Sequence, residues 1–130
     1  MKWYELKEEK VDLEDARDNR YDAILSYIPL LAFIPYLSKT DSKFVEFHAK
    51  QGMTLLLFEI LYMIVYIIFA QIKITECSWG TCKKFLPIYI AIPINVILTL
   101  ILFLNFIGII NIFECKAKTL PLIGRLELFK

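Results

Sequence analysis

At 130 residues the chain has the length of one domain, and with 58% hydrophobic against 22% charged residues it is more apolar than soluble domains usually are. Fifteen basic and fourteen acidic residues leave a formal net charge of +1, which gives no electrostatic case for nucleic acid or a strongly anionic partner. The apolar residues are gathered into three nearly uncharged stretches, a blockwise distribution that points to a lipid bilayer as the solvent.

Residues 1–20 carry twelve charges, seven acidic and five basic. A secretory signal would need a basic start followed by an apolar core, so this charged segment reads as hydrated and not as a signal, and the distribution of Lys and Arg along the chain places it in the cytoplasm. It is expected to form either a solvated tail or a short surface helix bearing Trp3, Leu6 and Leu13. The helical membrane domain is expected over residues 21–130. Its first apolar stretch, 23–37, has only fifteen residues. A straight span needs about 20. Pro29 and Pro35 each remove a backbone donor, and a freed carbonyl in lipid must find another partner. The stretch is therefore expected to be a short re-entrant or third membrane segment shielded by its neighbours. A polar break follows, with Thr40 or Asp41 as candidate helix N-caps.

Phe44, Phe47, His48 and Gln51 then recur at helical spacing, which sets two phenylalanines beside the chain's single histidine. The same helix continues into residues 51–72, a stretch of 22 with Glu59 as its only charge and long enough to cross. Next comes a short loop, Cys77-Ser78-Trp79-Gly80-Thr81-Cys82, whose tight turn suits closure by a disulfide between Cys77 and Cys82. Residues 85–113 form the longest stretch, 29 residues without a charge. Pro87 sits near its start, where a missing donor costs little, and Pro93 is expected to kink it. After Phe113 the chain turns polar, with a tail expected to turn at Pro121 and Gly124. The expected fold class is all-α, with two full transmembrane helices plus the short proline-containing segment.

Five basic residues precede Tyr21, three lie in 38–50, three in 73–84, and four follow Phe113. Three complete crossings would divide them 8 to 7, giving no orientation. A first segment that doubles back divides them 12 to 3, and the bias of Lys and Arg towards the cytoplasm favours that arrangement. The implied protein is a multi-pass protein of the inner (plasma) membrane with both termini cytoplasmic. Cys77 and Cys82 then lie outside, where a disulfide persists, and Cys115 lies on the reducing side.

Candidate polar residues follow from depth. Glu59 lies midway along the second stretch, where an ionisable side chain is costly unless paired or hydrated. On a continuous helix His48, Gly52, Leu55, Glu59, Tyr62 and Tyr66 fall on one stripe, which could form a conducting face. Alternatively, Glu59 is hydrogen-bonded to Asn95 or Thr99 and holds helices together. His48 is expected to bond or cap the neighbouring loop at 38–42. Asn95, Asn105 and Asn111 should face protein or water. One histidine and three cysteines, two of them across the bilayer from the third, cannot supply four metal ligands, and no phosphate-binding loop, dinucleotide fingerprint or nucleophile elbow is present. No cofactor and no enzyme chemistry are expected. The expected role is a structural or accessory subunit, as a homo-oligomer or within a larger membrane complex; the alternative is a small channel or transporter using Glu59.

At Phe47-His48-Ala49-Lys50-Gln51-Gly52, just before a span, the sequence resembles a family of small bacterial membrane proteins of unknown function. That family is distantly similar to the twenty-kilodalton component of the chloroplast inner-envelope translocon and to magnetosome membrane proteins. Gly108-Ile109-Ile110-Asn111 and Lys116-Ala117-Lys118-Thr119-Leu120-Pro121-Leu122-Ile123-Gly124 look like the family's closing segment. The resemblance runs from about Tyr27 to Gly124 and implies a polytopic helical protein without an assigned reaction. Three apolar stretches, where the translocon component is thought to have four spans, depart from a translocation pore.

Overall fold

The computed structural model describes residues 8–38 and 41–123 of the chain. Trp3, Leu6, Thr40 and Gly124, which carried expectations above, lie outside them. The element order is β1 (Glu8–Glu9), α1 (Leu13–Asp18), α2 (Arg20–Leu25), α3 (Phe33–Leu37), α4 (Lys43–Ala70), β2 (Ile74–Ser78), β3 (Thr81–Phe85), α5 (Ile88–Phe113) and β4 (Ala117–Lys118). The protein is mostly helical, and α4 and α5 are both long and apolar enough to cross a membrane. Their 28 and 26 residues correspond to about 40 Å each, against a hydrocarbon core of about 30 Å.

Helix α4 is N-capped by Ser42 and not by Asp41: the Ser42 hydroxyl accepts from the Val45 amide at 3.2 Å. A second cap, this one a carboxylate, comes from a distance, since Asp15 of α1 accepts from the Phe44 amide at 3.3 Å. An acidic group at a helix N-terminus satisfies an orphan donor and complements the macrodipole. Helix α1 is itself capped by Asp12, which accepts from Glu14 N at 3.2 Å, and it buries Ala16 completely. The first apolar stretch is broken into α2 and α3, of six and five residues, each far too short to cross alone. Pro29 and Leu30, the latter at φ 68°, lie in the turn between them, and Pro35 lies within α3. Both short helices pack on α4.

Helix α5 opens after Pro87 and continues through Pro93 to Phe113. It closes with the amide of Lys116 on the Asn111 carbonyl at 2.9 Å and that of Cys115 on the Ile112 carbonyl at 3.0 Å. This is the Schellman arrangement, with Cys115 at φ 55° in the left-handed position that glycine usually takes. The all-α expectation needs correction at two places. β1 pairs antiparallel with β4, tying the N-terminal segment to the chain after α5. The loop between the spans is a β-hairpin, β2 with β3. Trp79 and Gly80, at φ 51° and 78°, make the two-residue primed turn whose twist matches the strands. Cys77 and Cys82 lie directly opposite each other with Cα atoms 4.1 Å apart and are joined by a disulfide.

Burial divides the spans into two zones. In α4, Phe44, Val45, His48, Ala49 and residues 51–56 are buried, whereas nearly all of 57–70 is exposed or half-buried. Helix α5 mirrors this, with Ile101, Leu104, Asn105, Gly108, Asn111 and Ile112 buried and residues 88–100 exposed except Ile94 and a few half-buried positions. A water-soluble core helix would bury its apolar surface throughout. These helices leave Leu61, Ile64, Ile68, Ile92 and Val96 outside, as lipid-facing helices do.

Candidate functional site

The buried zone holds a polar cluster that draws α2, α4, α5 and the closing segment together. His48 is fully buried and ringed by aromatic edges: its centroid lies 4.6 Å from Phe44, 5.4 Å from Phe47 and 5.8 Å from Tyr27. Its Nε2 is 3.2 Å from the Lys116 carbonyl, which can only accept, so Nε2 carries the proton. Nδ1 is then the acceptor, and the Tyr27 hydroxyl donates to it at 3.0 Å. The partners are thus Tyr27 and Lys116, and the expected bond from His48 to the 38–42 loop is replaced by contacts much further along the chain.

One turn later Gln51 grips the same segment from the side. Its Oε1 accepts from the Leu120 amide at 3.1 Å, and its Nε2 approaches the Lys118 carbonyl at 3.5 Å, with Asn111 Nδ2 reaching that carbonyl at 3.4 Å. Two glycines let the C-terminal end of α2 and the turn after it enter this cluster. A β-carbon on Gly52 would meet the Ser26 carbonyl, and one on Gly108 would meet the Tyr27 ring. At the rim, Arg20 Nη2 approaches Cys115 Sγ at 3.4 Å and the guanidinium lies over the Phe113 ring at 5.8 Å. Just outside the span, a 2.8 Å hydrogen bond to Lys116 and its charge hold the exposed Glu114 carboxyl below the usual carboxylate range.

Glu59 stands one level above this cluster, at the boundary of the two burial zones. Its Oε1 accepts from Asn105 Nδ2 at 2.7 Å, so the expected partners Asn95 and Thr99 are replaced by a residue further along α5. Asn105 Oδ1 is buried without a partner among the described residues. Asn95, expected to face protein or water, is exposed and donates to the Ala91 carbonyl of its own helix at 2.7 Å. Of the proposed stripe, His48, Gly52 and Leu55 are buried and Glu59 and Tyr62 half-buried, whereas Tyr66 is exposed and stacks on Tyr62. The structure therefore gathers His48 and Gln51, pairs Glu59 with Asn105, and leaves Asn95 and the Cys77–Cys82 hairpin apart.

The cluster is built to hold chain together. Both His48 nitrogens are engaged, so the imidazole offers no free lone pair or proton, and Gln51 spends its amide on backbone groups. Among the described residues no three His, Cys, Asp or Glu side chains gather as metal ligands. Sequence reasoning missed Tyr27, Asp15 and Arg20 as members. Tyr27 alone left a signal, a hydroxyl in an apolar stretch that must find a partner when buried.

Three curated magnetosome proteins are similar to part of this chain. MamF of Paramagnetospirillum magneticum is 46% identical over 39 residues, covering 30% of this chain and 35% of the relative. MmsF of the same organism is also 46% identical over 39 residues, 30% of this chain and 36% of the relative. MamF of Magnetospirillum gryphiswaldense is 47% identical over 38 residues, 29% and 34% respectively. The chain thus matches about a third of the length of these relatives. They belong with the magnetosome proteins named in the resemblance above and carry no link to the chloroplast translocon component. No family model matches the chain. No solved structure matches it either.

Proposed function

We propose that this chain is a structural or accessory subunit of a membrane assembly and works as an oligomer in the bilayer. The observation that carries this reading is the division of the spans. One half of each is locked into a hydrogen-bonded polar and aromatic cluster, and the other half presents apolar side chains that are mostly exposed among the described residues. Three similar proteins are magnetosome proteins by name, which supports a part in building or furnishing a membrane compartment. Native purification in mild detergent with mass measurement tests it: the expected result is a homo-oligomer or a stoichiometric complex, and a lone monomer overturns it.

The unusual 2.7 Å pairing of Glu59 with Asn105 supports a second reading, a small channel or transporter. Conductance in liposomes that disappears in Glu59→Gln would favour it over the subunit.

In the proposed topology the α2–α3 segment enters and leaves on the cytoplasmic side, both termini are cytoplasmic, and the disulfide hairpin lies outside. The shortness of α2 and α3 and the 12 to 3 division of basic residues support this. In a background with Cys115→Ser, a cysteine replacing Lys10 or Asp41 should stay protected from a membrane-impermeant reagent in intact cells, and one replacing Ser78 should react. Labelling at Lys10 with protection at Asp41 would mean that the first apolar stretch crosses fully.

A further inference from the structure

Among the described residues, Asn95 is an exposed amide within a span, and its chemistry demands a partner. It lies about 10 Å along α5 from the helix start, inside the 29-residue uncharged stretch, and is exposed. One amide hydrogen is used on the Ala91 carbonyl. The second hydrogen and Oδ1 have no partner among the described residues, and hydrocarbon supplies none. Around Asn95 runs a groove of about 400 Å³ lined by Ala91, Ile92, Asn95, Val96, Thr99 and Leu100. Thr99 has turned its hydroxyl onto the Asn95 carbonyl at 2.8 Å, so it presents its methyl group and a low profile.

Resting on the oligomeric reading above, we infer that this α5 face is the contact between two copies of the chain, related by a two-fold axis along the membrane normal, with Asn95 bonded to its counterpart. The membrane fixes the geometry. All copies insert in one orientation, so a symmetric pair of α5 helices must run parallel, and equivalent residues meet at equal depth. An asparagine amide has both donors and acceptors, so two of them satisfy each other across that axis. A glutamate or lysine at this position would instead oppose like charges. Ala91 and Thr99, one turn to either side, allow the backbones to approach as small residues do in membrane helix pairs. Further along the same side Phe103 and Phe106, 58% and 60% exposed, extend the contact with large apolar surface.

The experiment uses the full chain with Cys115→Ser and the native disulfide intact. Single cysteines replace Asn95, Thr99 or Ile97, the last on the opposite exposed side of α5, and native membranes are mildly oxidised. Covalent dimers are expected from the Asn95 and Thr99 positions and not from Ile97. In lipid nanodiscs, Asn95→Leu should weaken self-association about tenfold and Asn95→Gln should restore much of it. An oligomeric mass that persists in Asn95→Leu, with no cross-link at 95 or 99, overturns this face and leaves the oligomer standing. A wild-type chain that is monomeric and cross-links nowhere overturns both. Stoichiometric recovery of a different protein without these cross-links overturns the homodimer and keeps the subunit reading.

Discussion

Gly52→Ala is expected to destabilise the protein by about 2–3 kcal/mol, although the same replacement in an open helix interior gains about 1 kcal/mol. The sign turns on one contact. Gly52 lies in the buried half of α4, and the β-carbon of alanine would occupy the place of the Ser26 backbone carbonyl. A carbonyl cannot rotate aside as a side chain can. Relief would require α2 to move off α4, pulling Tyr27 from both His48 and the Gly108 pocket. Gly108→Ala should cost less, because the group in its way is the Tyr27 ring, which can tilt. Apparent melting temperature in detergent, followed by monodispersity after heating, gives the ranking. A neutral or stabilised Gly52→Ala would mean that α2 does not seat on α4 as described.

The spans were legible because run length is a direct physical requirement of the bilayer, and nothing at long range can shorten it. The register between them was not. Setting the ends of α4 and α5 level would put Glu59 beside Thr99, whereas it meets Asn105, about 9 Å further along the axis. That offset accords with Gly52 and Gly108 both receiving α2, a three-body contact that leaves no trace in the sequence of any one element. The cluster was half legible. His48 and Gln51 stood out as polar residues at a span entrance, but their partners are a tyrosine 21 residues earlier and backbone groups 68 and 69 residues later. A backbone carbonyl such as that of Lys116 has no side-chain signature. Two local signals were obscured by unusual residues. Cys115 fills a helix-end position where glycine would have announced the stop, and Trp79 fills the first turn position of the hairpin where Asn, Asp or Gly is usual.

Replacing His48 by phenylalanine should open the closing segment while leaving the spans in place, and Cys115 provides the reporter. Its thiol is the free one, half-buried beside Arg20, and it sits between the end of α5 and Lys116. Phenylalanine preserves the flat shape that Phe44, Phe47 and Tyr27 pack against, so the loss is confined to the two hydrogen bonds. The Tyr27 hydroxyl and the Lys116 carbonyl are left without their partner, at a combined cost of about 2 kcal/mol or more. If Cys115 reacts through local opening, that cost raises its labelling rate roughly thirtyfold under native conditions. Gln51→Leu should act in the same direction, since it strands the buried Leu120 amide on the same segment. Neither change should shift the exposure of the hairpin beyond α4, which among the described residues shares no hydrogen bond with the cluster. A labelling rate within twofold of the parent in His48→Phe, together with a raised rate in Gly52→Ala, would show that packing of α2 alone closes the cluster and that the histidine is a spacer.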